Sequence, residues 1–246
     1  MFAKRQTPIQ AKQSEPSQTQ SIVQCQHCQV HLPQADAIAQ EDRFYCSQEH
    51  VDSLDERGWL GSALWRPSPN QDARPEGQTP ELVVLHHISL PPGEFTRQAS
   101  TQYIIDFFQN KLDSTIHPYF EEIASQRVSS HFLIARSGNV IQFVSVQNKA
   151  WHAGQSSFMG KEKCNDFSIG IELEGDAEHP FDEIQYNTLA QLSAQLQSAY
   201  PGMGFAGHSD IAPDRKIDPG IQFNWKKFQD QAKIATEKFP YGLDRR

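Results

Sequence analysis

Apolar positions are sparse at the start of the chain and become strongly periodic only after residue 80. Residues 1–20 are polar, with Gln6, Gln10, Gln13, Gln18 and Gln20 and too few apolar side chains to offset the entropy of ordering, which predicts a disordered arm. From Ser21 to His50 short apolar pieces (Leu32, Ile38, Phe44-Tyr45) alternate with cysteines, the pattern of a small unit that needs a staple. A short helical stretch is expected from Asp52 to Trp59. The prolines between Pro67 and Pro75 then predict an extended approach without regular structure. Glu81 to Ile88, a β-branched apolar run closed off by Pro91-Pro92-Gly93, reads as a buried strand. Tyr103 to Leu112 has helical spacing. His131–Ala135 and Val140–Val144, joined by Ser137-Gly138-Asn139, form a hairpin pattern, and Ser168 to Glu174 is another strand. Leu189, Leu192, Leu196 and Tyr200 share one face of a helix from Ile184 that Pro201-Gly202 ends, and a last helix starts near Asn224. Strands interleaved with helices, with one hairpin among them, indicate an α/β fold with a mixed sheet. The division is a disordered arm (1–20), a small module (21–53) and a main domain (54–246).

Composition narrows the function classes. The 246 residues hold no apolar run of about 18, so no membrane span or membrane partner is expected. The net charge of -8 is shared between residues 1–53 (-2) and 54–246 (-6), and neither part is a basic patch, so no nucleic-acid partner is expected. The polar opening lacks the apolar core of an export signal, and four cysteines are too few for a disulfide scaffold, which points to a reducing cytoplasm.

Hydrolysis at a metal needs two or three imidazole or carboxylate ligands, an open position for water and an acid/base group nearby. His86 and His87 close the first strand, and because successive strand side chains alternate between faces, one of the pair is the ligand and the other a neighbour. His208 follows Gly207. Lys216 and Asp218, two residues apart in an extended segment, face the same side, a carboxylate for metal with an ammonium beside it. Glu172 and Glu174 share a strand face, so parity alone does not choose between them. His131 and His152 read as packed or hydrogen-bonded histidines rather than ligands, as do His117 and His179, and Cys164 as a small buried hydrophobe rather than a nucleophile.

Gly58-Trp-Leu60, Pro67-Ser-Pro69, His86 to Phe95, His117-Pro-Tyr-Phe120, Val128-Ser-Ser-His131, Ala150-Trp-His-Ala-Gly154, Cys164 to Gly175 and His208 to Pro219 occur in that order. In these motifs the stretch from about Leu54 to Phe228 resembles the AmpD family of zinc-dependent N-acetylmuramoyl-L-alanine amidases, relatives of the peptidoglycan recognition proteins. The resemblance implies a mixed sheet flanked by helices, zinc ligands at His86, His208 and Asp218, a catalytic glutamate at Glu172 rather than Glu174, and an active-site lysine at Lys216. It also suggests substrate contacts at Arg127, Trp151, Lys163 and His87. Two of these depart from the family's frequent residues, Asn in place of His87 and Arg in place of Lys163, which touches substrate affinity more than reaction type.

Cys25-x2-Cys28-x17-Cys46-x3-His50 supplies four ligands at a spacing typical of structural zinc, with His27 and His31 as alternatives to His50. Two zinc ions are therefore expected, one catalytic and one structural in a zinc-ribbon-like module whose protein partner the sequence does not identify. Three functions compete: a cytoplasmic amidase acting on anhydromuropeptides in peptidoglycan recycling, a muropeptide sensor that binds without cutting, and an adaptor centred on the N-terminal module. The complete ligand set favours the first.

Overall fold

The computed structural model describes residues 20–95 and 98–244; the arm expected over 1–20 lies almost wholly outside them. Its centre is set by two strands with no polar edge to show to water. β7 (Leu82–Ile88) begins with four fully buried apolar residues, and β13 (Ser168–Glu174) is buried throughout, the mark of strands covered on both faces. They pair in parallel, Glu172 beside His86. Among the described residues six strands form the main sheet in the order β14 (Gly204–Gly207), β7, β13, β8 (Phe132–Ile134), β9 (Val140–Gln142), β5 (Leu64–Trp65). β8 and β9 are antiparallel and the other neighbours parallel, so the sheet is mixed.

Period-two alternation in β13 sorts the two faces. Ile169, Ile171 and Leu173 join Val83, Leu85, Phe132 and Phe205 under α4 (Glu183–Ala199) and α6 (Trp225–Ala232), through Leu189, Leu192, Leu196 and Phe228. Each such burial contributes roughly 1.5–3 kcal/mol. The opposite face of β13 carries Ser168, Gly170, Glu172 and Glu174, which are small or polar. Beyond it α2 (Gln98–Phe108) and α3 (Pro118–Ile123) cover the β8–β9 hairpin with Ile104, Phe108 and Phe120. Short ladders complete the chain: β6 (Gln71–Ala73) with β10 (Asn148–Ala150), and β11 (Ser157–Phe158) with β12 (Lys161–Glu162). α5 (His208–Ile211) continues directly from β14.

The N-terminal module consists of two hairpins, β1 (Ile22–Gln24) with β2 (His31–Pro33) and β3 (Ile38–Gln40) with β4 (Arg43–Tyr45), followed by α1 (Gln48–Val51). It lies against residues 61–66. Arg43 donates to the Ala63 carbonyl at 2.7 Å and stacks 4.0 Å from the Trp65 ring, Gln40 donates to the Ser62 carbonyl, and Arg66 pairs with Glu41 at 2.8 Å.

Two expectations are corrected. Residues 52–59 are not helical, because the Asp55 carboxylate accepts the backbone N–H groups of Arg57 and Trp59 and so holds a loop instead. The Pro67–Pro75 segment contains β6, whose three residues fall between the prolines and pair with β10. Among the described residues no helix is long and apolar enough to cross a membrane.

Candidate active site

Three side chains expected from the sequence meet where β7, β14 and the 208–219 loop converge. His86 Nδ1 lies 3.0 Å from His208 Nδ1 and 2.9 Å from Asp218 Oδ2, and the latter two are 3.0 Å apart. All three residues are buried. Gly207 makes the convergence possible: a Cβ there would stand 2.7 Å from Pro219 Cδ, and the Ser209 N–H bonds the Asp218 carbonyl at 2.8 Å, so the strand end and the loop close on each other. Two imidazole nitrogens and a carboxylate oxygen within 3.0 Å of one another are a set that a single shared cation can satisfy. The donor set thus fits a metal.

The electrostatics agree. Burial, then the neighbouring His208, lowers His86 to about 4, so the ring is neutral at physiological pH. Burial works to raise Asp218, but the neighbouring His208 and His86 imidazoles outweigh it and hold the carboxyl well below its usual range. Each histidine keeps its second nitrogen for a partner, His208 Nε2 with the Ala153 carbonyl at 3.3 Å and His86 Nε2 with His152 Nδ1 at 2.9 Å.

Glu172 stands beside this group. Its Oε2 is buried with no hydrogen-bond partner among the described residues, and burial, followed by the charge of Asp218, raises its pKa well above that of an ordinary glutamate against the pull of Lys216. Glu174, on the same strand face, is already committed: Ser100 and Thr101 at the start of α2 and the Arg136 N–H all donate to it. Strand parity left the two glutamates equal, and their partners separate them.

A cleft of about 540 Å³ opens over the group, lined among others by His87, Phe107, Trp151, Glu172 and Lys216. Trp151 is pinned by Nε1–H donation to Asp72 at 2.9 Å, and His87 holds a buried Nδ1 without a partner among the described residues. Arg127 and Lys163 are not in that lining. Arg127 is exposed and its guanidinium folds back onto the carbonyls of Ala124, Ser125 and Gln126, while Lys163 is exposed on a left-handed turn, φ 61°, ahead of Cys164.

One half-buried residue, Arg74, was not singled out in the sequence, and two histidines read there as packed or hydrogen-bonded lie near it or near His86. Arg74 donates to the carbonyls of Val146, Asn165, Asp166 and Ser168, and burial lowers it to about 10, which leaves it charged at neutral pH. His131 accepts the Gly170 N–H on Nδ1 and therefore donates from Nε2 to the Asn148 carbonyl, a packed histidine as read from the sequence. His152 is half-buried beside His86. Only the small residues Ser168 and Gly170 on one face of β13 could have announced that a bulky group packs there.

In the N-terminal module Cys25, Cys28, Cys46 and His50 form a second group, and His27 and His31 are not part of it. Cys28 Sγ and Cys46 Sγ are 3.7 Å apart, near the roughly 3.8 Å edge that two Zn–S bonds of about 2.3 Å imply in a tetrahedron. His50 Nδ1 lies 3.0 Å from Cys46 Sγ and 3.7 Å from Cys25 Sγ, and His27 stacks on its ring. Burial works against ionising Cys25, but backbone N–H groups of Cys28, Cys46 and His27 outweigh it and bring the thiol down to about 6.

The sequence profile of the N-acetylmuramoyl-L-alanine amidase family matches residues 76–221. The 1,6-anhydro-N-acetylmuramyl-L-alanine amidase AmpD of Haemophilus influenzae is 48% identical over 181 residues, covering 72% of this chain and 96% of the relative. AmpD of Escherichia coli is 48% identical over 176 residues, 71% of this chain and 94% of its own. Among solved structures, a crystal structure of a selenomethionine AmpD derivative superposes with a TM-score of 0.68 at 46% identity, covering 72% of this chain and 97% of that one. The solution structure of Citrobacter freundii AmpD gives 0.53 at 46% identity, over 75% and 98% of the two chains.

Proposed function

The chain belongs to the N-acetylmuramoyl-L-alanine amidase family, and from that premise we propose how its residues carry the reaction. It hydrolyses the amide between the lactyl group of 1,6-anhydro-N-acetylmuramic acid and L-alanine in muropeptides, the reaction of its AmpD relatives, in the service of peptidoglycan recycling. His86, His208 and Asp218 would hold one zinc ion, three protein ligands being the number usual in catalytic zinc sites. Bound there, the ion would supply Lewis-acid polarisation of the scissile carbonyl and lower the pKa of water.

Glu172 is the general base. Its buried Oε2, without a partner among the described residues, takes the proton of the attacking water and returns it to the leaving amine of L-alanine, and burial, which raises its pKa, favours its holding that proton between the two transfers. Lys216, on the same cleft wall, offsets the negative charge that develops on the carbonyl oxygen. Trp151, held by Asp72, offers its ring to the sugar, and His87 offers a polar contact. Cys25, Cys28, Cys46 and His50 would hold a second zinc, and a set of four protein ligands suits a structural ion. Free thiols used as ligands suit a reducing compartment, and we place the reaction in the cytoplasm.

The observation that carries this reading is the convergence of His86, His208 and Asp218 within 3.0 Å of one another beside the unpaired Glu172 carboxylate. Incubation of zinc-loaded protein with anhydromuramoyl-tripeptide is expected to release free tripeptide by mass spectrometry, and Asp218→Ala to abolish both release and one equivalent of metal. Binding without cleavage would make the protein a muropeptide sensor. Cleavage of polymeric peptidoglycan as well would remove the restriction to recycled fragments.

A further inference from the structure

We propose that His152 is a positioning residue for the metal site, a neutral imidazole that takes the outward proton of His86, and that residues 152–153 orient both metal-binding histidines together. This rests on the assignment of His86, His208 and Asp218 as metal ligands.

Proton bookkeeping along the hydrogen bonds leaves one arrangement. His86 turns Nδ1 to the ligand group, and a nitrogen that lends its lone pair to a metal carries no hydrogen, so the proton of His86 is on Nε2. That nitrogen lies 2.9 Å from His152 Nδ1, with the two rings at 89°, so His152 Nδ1 accepts and the His152 proton sits on Nε2. His152 Nε2 in turn lies 3.1 Å from Ser168 Oγ, and the Ser168 hydroxyl donates to the Cys164 carbonyl at 2.6 Å. Every proton in the relay therefore points away from the metal, and the relay ends on a backbone carbonyl that accepts only.

The surroundings are shaped to hold this ring. A Cβ on Gly170 would lie 2.5 Å from His152 Cγ, so β13 has a glycine where the imidazole lies against it. The Asn165 side-chain oxygen accepts the backbone N–H groups of both His152 and Ala153, at 3.2 and 2.8 Å. Arg215 clasps the carbonyls of Ala153 and Gln155 at 2.9 and 2.8 Å. The Ala153 carbonyl is also the partner of His208 Nε2. Two adjacent residues thus provide the outer acceptor for each imidazole ligand, one by side chain and one by backbone. Outer partners of this kind fix ring orientation and tautomer and raise ligand basicity.

Zinc affinity of the buried site, measured on the full chain by chelator competition, tests the role apart from turnover. His152→Leu, which removes the acceptor, is expected to weaken that site roughly 10–100-fold. His152→Asn, whose side-chain oxygen falls near the position of Nδ1, is expected to recover most of the loss, and the N-terminal metal is unaffected in both. Long-range proton–nitrogen NMR of the zinc-loaded parent should show His152 as the Nε2–H tautomer. If His152→Leu fails to fold, Ser168→Ala and the tautomer of the parent decide. Parental zinc affinity in folded His152→Leu, or an Nδ1–H tautomer of His152, would overturn the proposal. Asp218→Ala separates the premises: if it leaves both metals bound, the ligand assignment itself is wrong, whereas loss in Asp218→Ala alone removes only the role of His152.

Discussion

At the scale of single residues, environment separates side chains of the same type. Glu172 and Glu174 lie two apart on one face of β13, yet Glu174 is saturated by Ser100, Thr101 and the Arg136 N–H while Glu172 keeps an unpartnered oxygen in the cleft. Glu172→Gln is expected to lower kcat by roughly 10²–10⁴-fold with zinc content unchanged, and steady-state kinetics beside metal analysis would check it. A buried histidine makes a second test. Burial, then the charge of Arg74, depresses His131 to about 3, against 6.5 for an ordinary histidine. Between those values the unfolded chain binds a proton that the folded chain does not, so the contribution is complete above about pH 6.5 and is lost as pH falls toward 3. One proton corresponds to about 1.4 kcal/mol per pH unit. His131→Asn, which keeps an acceptor for the Gly170 N–H, should therefore show a shallower acid decline of unfolding free energy than the parent, by up to one proton. Parallel curves would show that His131 does not titrate on unfolding.

At the scale of elements, the strands were legible because their apolar runs are bounded by turn residues. Ser168–Glu174 was read to the residue, and Glu81–Ile88 differs by one. Helix ends were less legible. α2 stops at Phe108 and Asn110 follows with φ 59°, whereas its apolar spacing continues to Leu112. Contacts between elements can be probed at the β8–β9 turn. Gly138 has φ +85°, and a Cβ there would lie 2.5 Å from Ile184 Cγ1 of α4. Gly138→Ala is expected to destabilise by more than about 1 kcal/mol in denaturant titration, and Gly77→Ala, at φ +74° with open space around it, by less. Equal losses at the two positions would mean that the contact with α4 carries no weight.

At the scale of the molecule, the two expected metal groups lie in different parts of the chain, joined through residues 61–66 by Arg43, Gln40 and the Glu41–Arg66 pair. Removing the N-terminal ligand set should therefore lower the melting temperature of the whole chain while the folded fraction still cleaves substrate. Cys28→Ser, assayed by calorimetry, metal content and peptide release, is expected to lose one metal equivalent and thermal stability but not kcat. Loss of kcat at full folding would show that the module reaches the active site. The sequence by itself determined the principal strands, the α/β class and, through its spacing, the Cys25, Cys28, Cys46 and His50 group, because periodicity and ligand spacing are properties of the chain alone, while the family resemblance singled out His86, His208 and Asp218. Tertiary structure decided the rest. Which glutamate is free, that Arg127 and Lys163 stay outside the cleft lining, and that His152, Ser168 and Asn165 stand behind His86 all depend on contacts between segments distant in sequence. His86 and His152 are 66 residues apart and His86 and Asp218 are 132 apart, distances over which no local pattern carries information.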